Sequence, residues 1–239
     1  MNLQELSNQF DTLVSSYRRF RDFDNKEPQD TIEFDEYEKS LYLTKAQEEL
    51  VLSLYNGRNP SLKSFEETEE LRRYLANIVE EANLSPIETS DGKPLGLESN
   101  SKFFTLPDNL WFITYESVKI SEGKCESHTS QEVFPVRQDE YHKLKKNPFR
   151  GANDRRALRL DLSEGVVEII SKFAVTSYYV RYLRKPRPIV LTNMPNGLSI
   201  GGVSVATESE LNESLHQKIL ELAVQMALQS KGYTNNRDK

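Results

Sequence analysis

Residues 178–191 (YYVRYLRKPRPIVL) constrain the fold more than any other stretch, because their side chains alternate between two chemistries. Successive side chains of a strand point to opposite faces, which sends Tyr178, Val180, Tyr182 and Arg184 one way and Tyr179, Arg181, Leu183 and Lys185 the other. One face is aromatic and aliphatic; the other carries most of the positive charge. Pro186 and Pro188 then remove two ladder donors, as in a strand that leaves a sheet or lies on its edge. Such an element is built to present a surface.

Its neighbours share the two-residue period. Residues 110–120 read as a strand, residues 131–136 as a second one across a polar turn holding Gly123, and residues 156–162 and 166–170 as a hairpin across the turn 163–165. Residues 139–146 form a short helix that stops before Pro148. The expectation is an antiparallel meander of four or five strands. No interleaved helix is long enough for a doubly wound parallel sheet.

Helical periods flank this region. Leu3, Leu6, Phe10, Leu13 and Tyr17 recur at steps of three and four, a narrow apolar stripe that wants a partner helix. Thr44 to Gln47 reads as a capping box opening a helix that reaches about Tyr55 and ends at Asn56-Gly57. A second box, Ser64 to Glu67, opens a helix lined by Leu71, Leu75, Ile78 and Ala82, with Glu66, Glu67 and Glu69 near its positive end. Residues 83–100, with Pro86, Gly92, Pro94 and Gly96, are the clearest break. A third box, Thr207 to Glu210, starts the last helix, where Leu211, Leu215, Ile219, Leu222 and Met226 share a side until about Ser230 and Gly232 stops it. Its stripe docks either on this chain's own bundle or on a neighbouring subunit. The predicted class is α+β: an N-terminal helical bundle (1–100), a central antiparallel β-sheet (101–205), and a long C-terminal helix with a flexible tail (206–239).

The chemistry of enzymes is missing from these 239 residues. Cys125 is the single cysteine and there are three histidines, so no disulfide forms and little remains for a metal; Cys125 and His128 have the spacing of two zinc ligands but lack a second pair. Gly151 and the Gly201-Gly202 pair lack the Gly-Lys-Ser/Thr that would follow in a phosphate loop, and no nucleophile elbow or His-Glu-x-x-His occurs. His216 sits beside Leu215 as a half-buried or subunit-facing imidazole, and the pairs Glu66-Glu67 and Glu80-Glu81 belong to solvated charge runs. The sequence therefore predicts no catalytic residue, no cofactor and no metal. No run of 18 apolar residues and no basic-then-apolar N-terminus is present, so a protein assembled in cytoplasm without a membrane is expected.

Charge says more about partners. The net charge of −6 conceals 21 acidic against 11 basic residues in 1–100, and 16 against 20 in 101–239. Residues 137–187 alone hold 13 Lys and Arg against 6 Asp and Glu. Such a patch, with Arg155, Arg156, Arg181, Arg184, Lys185 and Arg187, attracts either nucleic acid or the acidic face of another copy. The tyrosines 178, 179 and 182 among these cations keep a nucleic-acid-binding face open as an alternative, through stacking and phosphate contacts. The acidic pI near 5.3 weighs against it.

Three segments together carry a resemblance. Residues 44–50 (TKAQEEL), the strand 179–191, and residues 210–224 (ELNESLHQKILELAV) resemble the ring or adaptor proteins of short-tailed, crAss-like bacteriophages, mainly over 40–85 and 155–230. In that family a Glu-Leu pair, a Leu-His pair and an Ile-Leu-x-x-Ala-Val helix recur near the C-terminus; here they are Glu210, Leu211, Leu215, His216, Ile219, Leu220, Ala223 and Val224. The resemblance implies a structural virion protein of the head-to-tail region, forming a ring of about twelve copies that meets the portal and further tail or ring proteins and extends the channel for genomic DNA. On that reading the six cations above are subunit or channel contacts, and Leu211, Leu215, Ile219 and Leu222 pack on the portal or a neighbour.

Overall fold

The computed structural model describes residues 1–21, 33–58, 62–87, 101–121, 129–162, 165–195 and 197–232. The side chain of Tyr17, the turn with Gly123, Cys125 and His128, and the tail 233–239 lie outside the described residues. Those described form helices α1 (Leu3–Arg21), α2 (Glu36–Tyr55), α3 (Glu69–Tyr74), α4 (Gln138–Lys145) and α5 (His216–Ser230). The strands are β1 (Val79–Leu84), β2 (Lys102–Thr105), β3 (Leu110–Ile120), β4 (Ser130–Pro135), β5 (Arg156–Asp161), β6 (Val166–Ile170) and β7 (Val175–Arg184). The α+β class is as predicted. The chain divides into two units, Val79–Arg184 and Met1–Ile78 with Lys185–Lys239.

The unit Val79–Arg184 is one seven-stranded sheet in the order β1-β7-β3-β4-β5-β6-β2. It is not a pure meander: β4 and β5 run parallel, Val133 facing Ala157, while every other pair is antiparallel. A parallel pair needs a crossover, and α4 between those strands supplies it. Strand β7 sits inside the sheet rather than on its edge, because β1 pairs along it from Val79 opposite Leu183 to Leu84 opposite Tyr178. The apolar spacing through Ala82 predicts that the third helix runs on past Ile78, but residues 79–84 are a strand. The ladder to β7 satisfies their backbone instead, and tertiary pairing outweighs a helical pattern of a few residues.

The alternation of β7 holds: Tyr178, Val180 and Tyr182 are buried with Phe104, Val118, Ile169 and their neighbours. A smaller cluster of Tyr141, Leu158, Leu160 and Ile170 joins α4 to β5 and β6. Inside the sheet unit sits a buried ion pair, where Arg159 Nη1 donates to both Glu116 oxygens at 2.8 Å and the Tyr178 hydroxyl donates to Glu116 Oε2 at 2.5 Å. Burial pushes the Glu116 carboxyl up, outweighing the pull of Arg159 and Tyr178 in the other direction. The Tyr178 hydroxyl is driven upward by burial and then by the Glu116 charge.

The other unit is helical. Helix α2 begins eight residues before the expected Thr44, at a capping box in which Glu38 N donates to Asp35 Oδ1 at 2.7 Å and Asp35 N to Glu38 Oε2 at 3.2 Å. Helix α3 is short and capped by Thr68, whose Oγ1 accepts from Leu71 N at 3.3 Å; only half of the Ser64 box forms, with Ser64 N donating to Glu67 Oε2. Helix α5 starts at His216 after a single 3-10 turn, so Leu211 precedes it. It packs on α2 and α1, and Leu6, Phe10 and Val14 of α1 are buried. Lys39 is buried too, its Nζ 2.7 Å from Asp11 and 2.9 Å from Glu36. Burial acts to lower its pKa, but those two carboxylates raise it further.

Residues 185–191 join this unit through polar side chains. Ser40, Thr44 and Gln47 lie one turn apart on the buried side of α2, where the sequence suggested a helix start. Gln47 Nε2 donates to Arg187 O (2.8 Å), Thr44 Oγ1 donates to Ile189 O (3.2 Å) and accepts from Ile189 N (3.1 Å), and Ser40 Oγ accepts from Leu191 N (3.0 Å). An extended segment exposes its backbone groups at every second residue on one side, and 187, 189 and 191 meet the three side chains in step. Pro186 and Pro188 fall on the intervening positions, where no N–H is required. The helix thus supplies what a neighbouring strand would otherwise provide.

Candidate assembly surfaces

The cations of residues 181–187 all have partners within the chain, but Lys185 and Arg187 keep most of their side chains in solvent. Arg181 Nη1 donates to Thr114 Oγ1 at 3.2 Å, and Arg184 Nε lies 2.8 Å from Glu80 Oε1 with its side chain 16% exposed. Glu80 also accepts from the Tyr182 hydroxyl and Asn109 Nδ2. Burial acts to raise the Glu80 carboxyl, yet these donors and Arg184 hold it below the usual value. In the helical unit Lys185 Nζ lies 2.9 Å from Glu48, and Glu210 takes the Arg187 side chain at 3.4 Å and its backbone N–H at 3.0 Å. A cation already facing a carboxylate has less to offer a phosphate. Of the basic face expected of the strand, Arg181 and Arg184 are half-buried on internal partners, while Lys185 and Arg187 reach solvent beside Glu48 and Glu210.

The C-terminal residues behave similarly. Leu211, Leu215 and Ile219 are buried within their own chain, and Leu222 is half-buried. The buried face of α5 is turned from the predicted stripe: Ile219, Leu220, Ala223, Val224, Ala227 and Leu228 are buried in the helical unit, while Leu222 and Met226 lie at its half-exposed margin. His216 is buried with them, its Nδ1 3.1 Å from the Met1 amine and its Nε2 3.3 Å from Leu211 O. Burial lowers its pKa, and the amine charge adds to that, against the pull of the Leu211 carbonyl.

The densest basic charge that reaches solvent follows α4. Between 143 and 156 there are six cations and one carboxylate, and Lys143, Lys146, Arg150 and Arg155 are exposed. Arg156 is half-buried, its guanidinium 4.1 Å above the Phe134 ring and donating to Phe149 O at 3.2 Å. Within this collar Phe149 stands 84% exposed. Its loop is tightly tied: Asn147 Oδ1 accepts from Phe149 N and Arg150 N at 2.9 and 3.2 Å, and Gly151 N donates to Asn147 O at 2.8 Å. A Cβ on Gly151 would lie 2.9 Å from Asn147 O and 3.1 Å from Leu144 O, so glycine is what lets the turn close. Phe149 is not among the residues that motif and periodicity pick out. Its readable signal is an Asn-Pro turn carrying one large apolar residue among cations.

Among the described residues no cluster of three or more His, Cys, Asp or Glu is placed to hold a metal, and no helix is long and apolar enough to cross a membrane. The family model for phage tail ring protein 3/4 matches residues 1–239. The chain belongs to that family. It is 45% identical over 234 residues to "Ring protein 3" of Bacteroides phage crAss001, covering 97% of this chain and 96% of that protein. It is 28% identical over 236 residues to "Ring protein 4/5" of the same phage, covering 95% and 92%. The resemblance to crAss-like phage ring proteins is therefore correct, and extends over the whole chain. This ring protein is a structural component of the virion, and the names of its relatives describe rings, not enzymes.

Proposed function

We propose that copies of this ring protein close into a ring of about twelve subunits at the portal vertex, connect the portal to the tail through further ring or tail proteins, and extend the channel for genomic DNA. The full-length match to the tail ring family carries the reading. The surface chemistry supports it. A closed ring needs two different complementary patches on each copy, and the chain carries a solvent-facing basic loop at 143–156 together with 16 acidic against 10 basic residues in 1–78. The subunit or channel contacts are better sought at Arg155 and this loop than at Arg181 and Arg184, which are half-buried on internal partners; Lys185 and Arg187 remain exposed beside Glu48 and Glu210. On α5 a portal or neighbour would meet Leu222 and the exposed side of the helix, since Leu211, Leu215 and Ile219 are covered.

Native mass measurement of the purified protein, alone and with portal and neighbouring ring proteins, tests this. A ring of about twelve copies that joins portal assemblies is expected; a chain that stays monomeric in both settings refutes it. A channel wall needs no reading of bases, so contact with duplex DNA should be weak, indifferent to sequence and steeply reduced by salt. Sequence-selective binding by the free chain would instead favour a nucleic-acid-binding role for residues 137–187.

A further inference from the structure

Among the described residues two apolar side chains stand almost bare, and they sit in opposite electrical surroundings. Phe149 is 84% exposed with Lys143, Lys146, Arg150 and Arg155 around it in sequence, on a loop whose turn is closed by Asn147 and Gly151. Leu62 is 83% exposed, adopts a left-handed φ of 51° that leucine rarely takes, and is followed by Glu66, Glu67, Glu69 and Glu70, all exposed. A large apolar group in water is unfavourable, and one held at the tip of an ordered turn is already arranged for burial by a partner. We propose that Phe149 is the anchor by which one copy grips the next, seated on the carboxylate-rich surface from Leu62 to Glu70 of a second copy of the chain. This deepens the ring reading and rests on it.

The match is of two kinds at once. The collar from 143 to 156 has six cations to one carboxylate, and the stretch from 62 to 70 has four carboxylates to one cation, of which Glu69 is paired with Arg73 just beyond it at 2.6 Å. Opposite charges around a central apolar contact set register and exclude a collar-to-collar pairing, which would bring like charges together. The two patches differ, so the contact is head to tail, the kind that closes a ring. Duplex DNA would use the cations but has no use for the phenyl ring, because phosphate contacts come from charged and hydrogen-bonding groups.

Full-length protein carrying a photo-crosslinking benzoylphenylalanine at position 149, irradiated in assembled rings, should give a covalent dimer joined to residues 62–70 of the second copy. Phe149→Ser should keep the wild-type melting temperature, since its side chain is in solvent, while self-association weakens roughly tenfold or more. Crosslinks to another protein, to DNA or to the same chain overturn the proposal, as does a Phe149→Ser variant that forms rings as readily as wild type. If that variant fails to fold, the crosslink alone decides. Wild-type chain that forms no ring either alone or with portal and neighbouring ring proteins refutes the ring reading and this anchor together; rings with the crosslink elsewhere refute the anchor alone.

Discussion

Replacing Thr44 by Val removes one oxygen and nearly nothing else, yet in this structure that oxygen serves two backbone groups. Thr44 Oγ1 accepts from Ile189 N at 3.1 Å and donates to Ile189 O at 3.2 Å, with Thr44 7% and Ile189 0% exposed. Valine fills the same volume, so no cavity term enters. A buried backbone donor or acceptor stripped of its partner costs about 1–3 kcal/mol, which for the pair is about 2–6 kcal/mol before a gain of about 1 kcal/mol from the added apolar methyl. The net expected loss is roughly 1–5 kcal/mol. At about 2–4 °C per kcal/mol for a chain of this size, the melting temperature should fall by roughly 2–20 °C. Thermal unfolding followed by circular dichroism measures this, and hydrogen exchange should show the Ile189 amide losing protection. Thr12→Val, which removes an exposed hydroxyl bonded to Asn8 O, is the control and should change stability by less than about 0.5 kcal/mol. A Thr44→Val protein melting within about 1 °C of wild type would refute the claim that α2 side chains stand in for a neighbouring strand.

Arg159→Met should destabilise the sheet unit by about 3–5 kcal/mol near neutral pH, because it leaves the Glu116 carboxylate buried without its cation. Glu116 already has a raised pKa in the folded state, so the folded chain binds its proton more tightly than the unfolded one, and the deficit of the variant should shrink as pH falls; urea titrations at several pH values check both parts. His216 has the opposite linkage: its folded pKa is depressed, so the unfolded state takes up the proton first, and stability present above about pH 6.5 should decline as pH drops through the window below it. His216→Gln should flatten that part of the melting-temperature profile. Gly151→Ala forces a Cβ against two carbonyl oxygens and should cost roughly 1–3 kcal/mol, read by chemical denaturation, while raising proteolytic cleavage near Phe149.

Elements whose pattern repeats over many residues are legible in the residue order alone. The eleven residues of β3, the two faces of β7, the hairpin of β5 and β6 and the apolar side of α5 all carry a period long enough to be read locally. Expectation and fold part company where a short local pattern meets a distant partner. Thr44 to Gln47 looks like a cap because Thr and Gln favour helix starts, but Asp35 already caps α2, and Thr44 answers a segment 145 residues away. Val79–Leu84 has the spacing of a helix and becomes a strand because β7 offers a ladder.

The candidate site divides the same way. Charge content, the lack of catalytic motifs and the family texture at residues 210–224 are properties of residue types in order, and they lead as far as a structural ring protein. Which cations face solvent is not such a property. Arg184 and Arg155 are the same residue type, yet one lies 2.8 Å from Glu80 and the other is exposed, because the fold brings a carboxylate to the first alone. The same holds for the stretch from Tyr178 to Leu191. Its alternation determined that Tyr178, Val180 and Tyr182 enter the sheet core, since the period of a strand is local; that Leu183 on the other face is buried too, that its prolines run along a helix, and that carboxylates stand beside Arg184, Lys185 and Arg187, was decided by residues far away in sequence that only folding brings near.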